Sequence, residues 1–467
     1  MRKQYGILEG LEMIDIADEG KSVARFGELV VFVSGAVPGD VADVKITRSK
    51  RNFLEGKAVN IQKLSGDRTE PFCQHFGVCG GCKWQYMNYE KQLFYKQKLV
   101  KDCLERIAKI NCDEILLPIL PSQNTRYYRN KLEYTFSSYR WLTDEDMKEE
   151  AEGRNMNALG FHVPGRFDKV LDIETCYLQR EPTNAIRLSL KEYALKNDLP
   201  FFDLRKQTGF LRNIIIRTAE NGELMVIISF FYENEEWQNS VMEHLAANFP
   251  QITSLMYVIN SKGNDTISDL EIKCYKGNPF INEEMGSLKF KIGPVSFFQT
   301  NSLQAFELYK IVSDFAGLTG NEVVYDLYTG TGTIANFIAT AAKKVVGIEY
   351  VKSAIDDAFE NSRINGISNT IFYDGDIAKI LNDSFVGANE IPDVIITDPP
   401  RSGMHKDVVQ QLLQICPQKI VYVSCNPSTQ ARDIELLSEK YTLVKSQPVD
   451  MFPHTQHVEN VVLLIRK

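Results

Sequence analysis

The sequence has no apolar run approaching the ~20 residues that span a bilayer. Its opening residues, Met1-Arg-Lys-Gln-Tyr-Gly, lack the apolar stretch of a signal peptide. The two absences make the cytoplasm the expected location and give no reason to expect a membrane partner. Nine cysteines in 467 residues are too few for a disulfide scaffold; in a reducing compartment they read as metal-binding or catalytic groups. A basic excess is missing too. The net charge is −8 and the pI about 5.5, so an RNA partner needs a local basic face, and DNA is not expected. No internal repeat and no low-complexity tract interrupts the chain. What is present is 44% hydrophobic content, over a length that allows two to four domains with real cores.

The stretch with the most chemistry is Val421-Tyr-Val-Ser-Cys-Asn-Pro-Ser-Thr-Gln-Ala-Arg-Asp433. Ile420 to Val423 is a short apolar run that predicts a buried strand, and Asn426-Pro427 ends it as a turn. Cys425 therefore falls at the carboxyl end of a strand, where open α/β sheets place ligands and reacting groups. Two further strand ends accompany it. Asp393-Val-Ile-Ile-Thr runs into Asp398-Pro399-Pro400, and Phe452-Pro-His-Thr-Gln-His-Val-Glu459 leads into a strand over Asn460 to Ile465. A lone cysteine would read as core; a thiol and two carboxylates at strand ends read as a site.

Residues 1 to about 64 alternate short β-rich runs with turn residues, which predicts a small β-barrel. Its later part sets Lys45, Arg48, Lys50, Arg51, Lys57 and Lys63 around Phe53, the mixture that holds an RNA backbone and stacks a base. Cys73, Cys79 and Cys82 follow as C-x5-C-x2-C, and Gly80-Gly81 lets the backbone fold tightly around a bound centre. A four-cysteine site needs one more thiol. Cys103 lies in a predicted helix from Tyr89 to Ile110 and Cys112 is also near; Cys176, after a strand, is the preferred fourth. Spacing alone does not separate zinc from an iron–sulfur cluster. It is not the C-x3-C-x2-C of radical S-adenosylmethionine enzymes.

From Arg126 to about Phe290 the pattern is mostly β, with Asn221-Gly222 as a hairpin turn. This region is expected to present Arg126, Arg129 and Lys131 to a partner, and Thr143 to Glu152 as an exposed acidic insertion. From about Lys291 strands and helices alternate, which implies a parallel sheet. Glu322 to Ala335 reads as strand, glycine turn and helix start, with Gly330 and Gly332 letting a ligand approach the backbone. Glu349 tips the next strand, roughly 20 residues on, in the place of a ribose-binding acid. Asp376 ends a third strand. The set fits an adenosyl ligand, and no basic residue in the loop suits a pyrophosphate, which favours S-adenosylmethionine over a dinucleotide.

Together these motifs resemble the RNA uracil-5-methyltransferase family, most closely its 23S rRNA (uracil-C5) members with an N-terminal TRAM barrel and a 4Fe-4S iron–sulfur cluster. The likeness spans essentially the whole chain. It rests on C-x5-C-G-G-C, F-F-Q-T-N at Phe297 to Asn301, D-x-Y-T-G-T-G-T, D-P-P-R-S-G, S-C-N-P and F-P-H-T-x-H-V-E. The resemblance implies an α/β and β multidomain chain. Residues 1–66 would be a TRAM (OB-fold) RNA-binding barrel, 67–290 a central β domain with the cluster, and 291–467 a Rossmann-like methyltransferase domain. The helix near 89–110 would pack on the last of these. The implied cluster ligands are Cys73, Cys79, Cys82 and Cys176. The implied S-adenosylmethionine contacts are Gln299, Tyr328, Glu349, Asp376 and Asp398, with Thr333 where some relatives have asparagine. Cys425 is the implied nucleophile and Glu459 the implied base. The expected target is ribosomal, because the transfer-RNA enzyme of the family usually lacks barrel and cluster. Two rivals fit less well. An RNA cytosine-5-methyltransferase would show cysteine directly after Pro399-Pro400, where Arg401 stands. A non-catalytic RNA-binding iron–sulfur protein would not need Cys425, Glu459 and the glycine turn intact.

Overall fold

The structure, a computed structural model, describes residues 6–17, 19–143, 146–148 and 154–467. Most of the expected acidic insertion at 143–152 lies outside the described residues. Among the described residues no helix is long and apolar enough to cross a membrane.

The N-terminal strands form a six-stranded sheet in the order Ile7–Glu12, Val41–Ser49, Phe53–Lys63, Leu29–Ser34, Ser22–Phe26, Asp15–Ile16. Alternation sorts their side chains: Ala42, Val44 and Leu54 are sealed inside with Val31, Val33 and Ala24. The cations fall on the other face. Lys45, Arg48, Lys50, Arg51, Lys57 and Lys63 are all exposed, and Phe53 is half-buried against Phe32, ring centres 5.5 Å apart.

The central sheet has seven strands, in the order Ile272–Gly277, Ser254–Ile259, Leu224–Phe230, Leu211–Thr218, Lys131–Ser137, Ala158–Val163, Arg166–Asp172. The hairpin through Asn221-Gly222 joins Leu211–Thr218 to Leu224–Phe230 as expected. Two helices, Thr183–Lys196 and Glu235–Asn248, cover one face. The sequence reading passed over both. The first buries Ile186, Leu190 and Ala194, a stripe of three that carries little periodic signal. The second did carry a start signal: Asn234 accepts from the Trp237 amide at 3.0 Å, and Glu235 and Glu236 fill the first turn. The opposite face of the sheet, through Ile215, Met225, Ile227 and Met256, joins one continuous core with Phe290, Val324 and Val421 of the C-terminal region.

That region is built on a third sheet, in the order Thr370–Asp374, Lys344–Glu349, Val323–Leu327, Val394–Thr397, Lys419–Ser424, Glu459–Arg466, Tyr441–Val449. The first five run parallel, and Glu459–Arg466 runs antiparallel to its neighbour on either side. The strand order reverses between Val323–Leu327 and Val394–Thr397, and such a switch point opens a crevice at the carboxyl ends of the strands. The helix expected over Tyr89 to Ile110 is Tyr89–Arg106, and the chain turns away where Lys109 takes φ 60°. Its Val100, Cys103 and Leu104 pack with Val323, Tyr422 and Ile434, so this helix shares the core of the C-terminal sheet.

Candidate active site

Three strand ends bring the reactive side chains together. Cys425 follows Lys419–Ser424 directly and is half-buried. Asn426 then caps the helix Pro427–Leu437, accepting from the Ser428 amide at 3.1 Å. The same Asn426 donates to the Arg401 carbonyl at 3.0 Å, and the Thr429 hydroxyl donates to it at 3.2 Å. The turn after Asp398-Pro399-Pro400 is thereby pinned beside the thiol. Glu459 opens the final strand, paired opposite Val449, and is only 5% exposed. Arg401, Cys425, Asn426, Gln456 and His457 line an open cleft of about 180 Å³, closed on one side by Leu99 and by Glu19 from the N-terminal sheet.

The charges in this cleft act on one another. Burial, then the Glu459 and Asp398 carboxylates, pushes the Cys425 thiol up to about 11, while Arg401 pulls it down. Burial and Asp398 push Glu459 up to about 8, again opposed by Arg401. Burial and Asp326 push Asp398 up to about 7. Burial, then Arg401, lowers His457 to about 4, so its neutral ring can accept from the guanidinium, 2.9 Å from Nδ1. Asp398, Cys425 and Glu459 therefore share one environment, with Arg401 as its cation.

The expected cofactor contacts gather at the neighbouring strand ends. Gly332, at φ 73°, precedes the helix Thr333–Ala339; a Cβ there would stand 2.9 Å from that of Ala358, so the turn needs glycine. Glu349 accepts from the Gly330 amide at 3.2 Å and the Val351 amide at 3.0 Å. Tyr328 enters the turn at φ 64° and is half-buried. The Thr333 hydroxyl lies 3.2 Å from that of Tyr309. Asp376 accepts from the Ala378 amide at 3.1 Å. Gln299 lies on a loop held against the glycine turn, where the Thr331 hydroxyl donates to the Phe297 carbonyl at 3.3 Å. Asn130, from the central region, braces that loop by donating to the Gln299 carbonyl and the Ser302 hydroxyl at 2.9 and 2.8 Å.

Two features stood within or beside quoted motifs but were given no role of their own. Asp326 lies within a buried strand, accepts from the Thr329 hydroxyl at 2.5 Å, and is pushed up to about 7 by burial. An acid inside the apolar run Val323-Val-Tyr-Asp-Leu was the available signal. The second is the loop 450–457 that leads to Glu459. Lys96 and Asp450, both fully buried, pair at 2.5 Å; Tyr89 donates to the second Asp450 oxygen at 2.8 Å. The amides of Lys83 and Trp84 donate to the His454 carbonyl at 2.8 and 3.0 Å.

Cys73, Cys79, Cys82 and Cys176 line a separate cavity of about 170 Å³. Burial raises all four thiols; Cys73 and Cys176 raise Cys79 and Cys82 further, and Cys73 also raises Cys176. Among the described residues no group of three or more His, Cys, Asp or Glu side chains is set to hold a metal ion. Of the cations expected to face a partner, Arg126 is exposed and Arg129 half-buried, both ahead of the strand Lys131–Ser137. Lys131 does not fit that expectation: it is half-buried, and burial beside Arg217 lowers its pKa.

The fold and the crevice define a methyltransferase of the Rossmann-like type. Residues 218–467 match the family model described as tRNA (uracil-5-)-methyltransferase, and residues 10–59 match the TRAM domain. The chain belongs to the RNA uracil-5-methyltransferase family and carries a TRAM domain at its N-terminus. It is 55% identical over 452 residues to an uncharacterized RNA methyltransferase of Bacteroides thetaiotaomicron, covering 96% of this chain and 99% of that one. It is 37% identical to one of Chlorobaculum tepidum, covering 100% and 98%. Among solved structures, the Pyrococcus abyssi tRNA (uracil-54, C5)-methyltransferase in complex with S-adenosyl-L-homocysteine has a TM-score of 0.76. It is 27% identical, covering 98% of this chain and 100% of that chain.

Proposed function

We propose that the protein methylates C5 of a uridine in RNA, using Cys425 as nucleophile and Glu459 as base. The observation that carries this reading is that Asp398, Cys425 and Glu459 stand at the ends of three neighbouring strands, with Ser424 paired to Asn460, and that they and Arg401 act on one another electrostatically. Uracil C5 is a poor nucleophile. The Cys425 thiolate bonds to C6, the C5–C6 π pair moves onto C5 and the O4 carbonyl, and C5 becomes an enolate carbon. Arg401 favours the thiolate. S-Adenosylmethionine, held by Gln299, Tyr328, Thr333, Glu349, Asp376 and Asp398, supplies the methyl group. Glu459 then takes the C5 proton, the double bond re-forms and the thiolate departs. A carboxylate raised to about 8 suits this step, because proton affinity near working pH gives a general base both the right form and driving force.

We read the cavity thiols Cys73, Cys79, Cys82 and Cys176 as ligands of a 4Fe-4S cluster, because four cysteines lining one cavity are the donor set such a cluster takes. Such a cluster would tie the cysteine segment to the central sheet. Anaerobically prepared protein should then be brown and carry iron; colourless protein with zinc overturns this assignment.

Barrel and cysteines together favour ribosomal RNA, in the cytoplasm, as the target. A transfer-RNA target is the second reading, favoured by the archaeal enzyme that matches along the whole chain, barrel included. The test of the chemistry is RNA containing 5-fluorouridine. Fluorine cannot leave as a proton does, so wild-type protein should be trapped as a methylated covalent adduct. Cys425→Ala should form none while still binding S-adenosylmethionine; an adduct in that variant ends the proposal.

A further inference from the structure

A feature outside the cleft is not used by this chemistry. Tyr127 is 38% exposed, yet its backbone sits at φ 56°, in the left-handed region that bulky residues avoid. Such a conformation persists where its surroundings over-determine it, and it marks a place to look for function. Here the surroundings are a lacing of backbone bonds. The Tyr127 amide donates to the Tyr177 carbonyl at 2.7 Å, and the Arg129 amide to that of Leu178 at 2.8 Å. The strain thus displays an aromatic ring at the surface instead of burying it.

That ring belongs to a series that leads back to the catalytic loop. Tyr127 and Tyr177 have ring centres 6.0 Å apart, Tyr177 and Phe72 5.4 Å, and Phe72 and His454 5.0 Å. His454 stands three residues before His457, which lines the Cys425 cleft. The exposed Arg126 lays its guanidinium 3.9 Å from the centre of the Phe72 ring. Outside the series, Asn124, Arg126, Tyr127, Arg180 and Glu181 line an open depression of about 400 Å³. Arg180 is paired with Glu220 at 2.9 Å on the surface, an exchangeable contact that a phosphate can replace.

We propose that this depression takes an unpaired RNA base flanking the target uridine, stacked on Tyr127, with its phosphates against Arg126 and Arg180. The proposal rests on the RNA-methylating reading above and names a second point of contact for the same substrate. A displayed ring between two arginines is how single strands are held without sequence reading: π-faces stack and cations follow the backbone. Glu181 also lines the depression, but its carboxylate already accepts from the Asn184 side chain and the Ala185 amide, which leaves Arg126 and Arg180 for the phosphates. The chemistry supplies the reason. A uridine drawn out of its stack leaves a neighbour without a partner, at a cost in binding, and a ring placed there offsets it.

The test uses the full-length protein and a twelve-nucleotide unstructured RNA carrying 2-aminopurine, whose fluorescence falls on stacking. Tyr127→Gly removes the ring while glycine takes φ 56° without strain, so loss of fold does not confuse the result. Tyr127→Phe keeps the ring. Wild type and Tyr127→Phe should quench the probe alike; Tyr127→Gly should lose the quenching and bind about 10-fold more weakly. Wild type should also form the covalent adduct with 5-fluorouridine RNA, which checks the uridine chemistry separately. Absence of quenching by wild type, or equal quenching and affinity in Tyr127→Gly, overturns the proposal. Quenching without any adduct in wild type would count against the uridine chemistry and leave the stacking site standing.

Discussion

At Glu459 two demands meet in one carboxyl group. As the proposed base it must be deprotonated to take the C5 proton, yet burial and Asp398 raise its pKa to about 8. Activity limited by the free enzyme should therefore rise as pH climbs through about 8, because the protonated form that dominates below it cannot act as base. Glu459→Gln should lower turnover by about 10²–10⁴-fold and let a methylated adduct accumulate on ordinary uridine RNA, read by denaturing gel and mass spectrometry. Release of product at the wild-type rate would mean that another base operates. The same variant removes a negative charge that raises the Cys425 thiol, so adduct formation should become faster at pH 9 than at the same pH in wild type. Cys425, Glu459 and Asp398 were legible in the sequence because each stands at the end of an apolar run. Asp326 stood in the quoted D-x-Y-T-G-T-G-T without a role, because the glycines beside it drew the reading to the turn and away from an acid in mid-strand.

Among the elements, the helix Tyr89–Arg106 does more than its place in the sequence suggests. It lies just beyond the cysteine segment, yet its Lys96 is buried against Asp450 in the loop before Glu459. Lys96→Met should leave Asp450 charged and unpaired, at a cost of about 3–5 kcal/mol in stability, measured by denaturant unfolding. Lys96→Met with Asp450→Leu should recover most of that loss, since the penalty belongs to the abandoned charge. Equal destabilisation by the single and double variants would show that the pair itself holds the loop. No local pattern reveals a contact between residues 354 apart in the chain. Strands were read more surely than helices for a related reason. Lys419–Ser424 and Val394–Thr397 are short apolar runs sealed on both faces, whereas Thr183–Lys196 buries a narrow stripe and shows a mixed surface.

For the molecule as a whole, the order of barrel, central sheet and crevice followed from changes in periodicity along the chain. How they pack did not: the second face of the central sheet merges with the core of the C-terminal region through residues that read only as generic strand. The target follows from the assembled surface and is checked by mapping 5-methyluridine in ribosomal and transfer RNA from cells with and without this protein. Loss of the mark from large-subunit ribosomal RNA alone is the expected outcome; loss from transfer RNA alone would select the second reading.

The buried link from Lys96 to Asp450 also sets a clock. The loop that leads to Glu459 cannot be held until Asp450 has been made and has docked on Lys96, 354 residues earlier, so this wall of the crevice is completed only when nearly the whole chain is present.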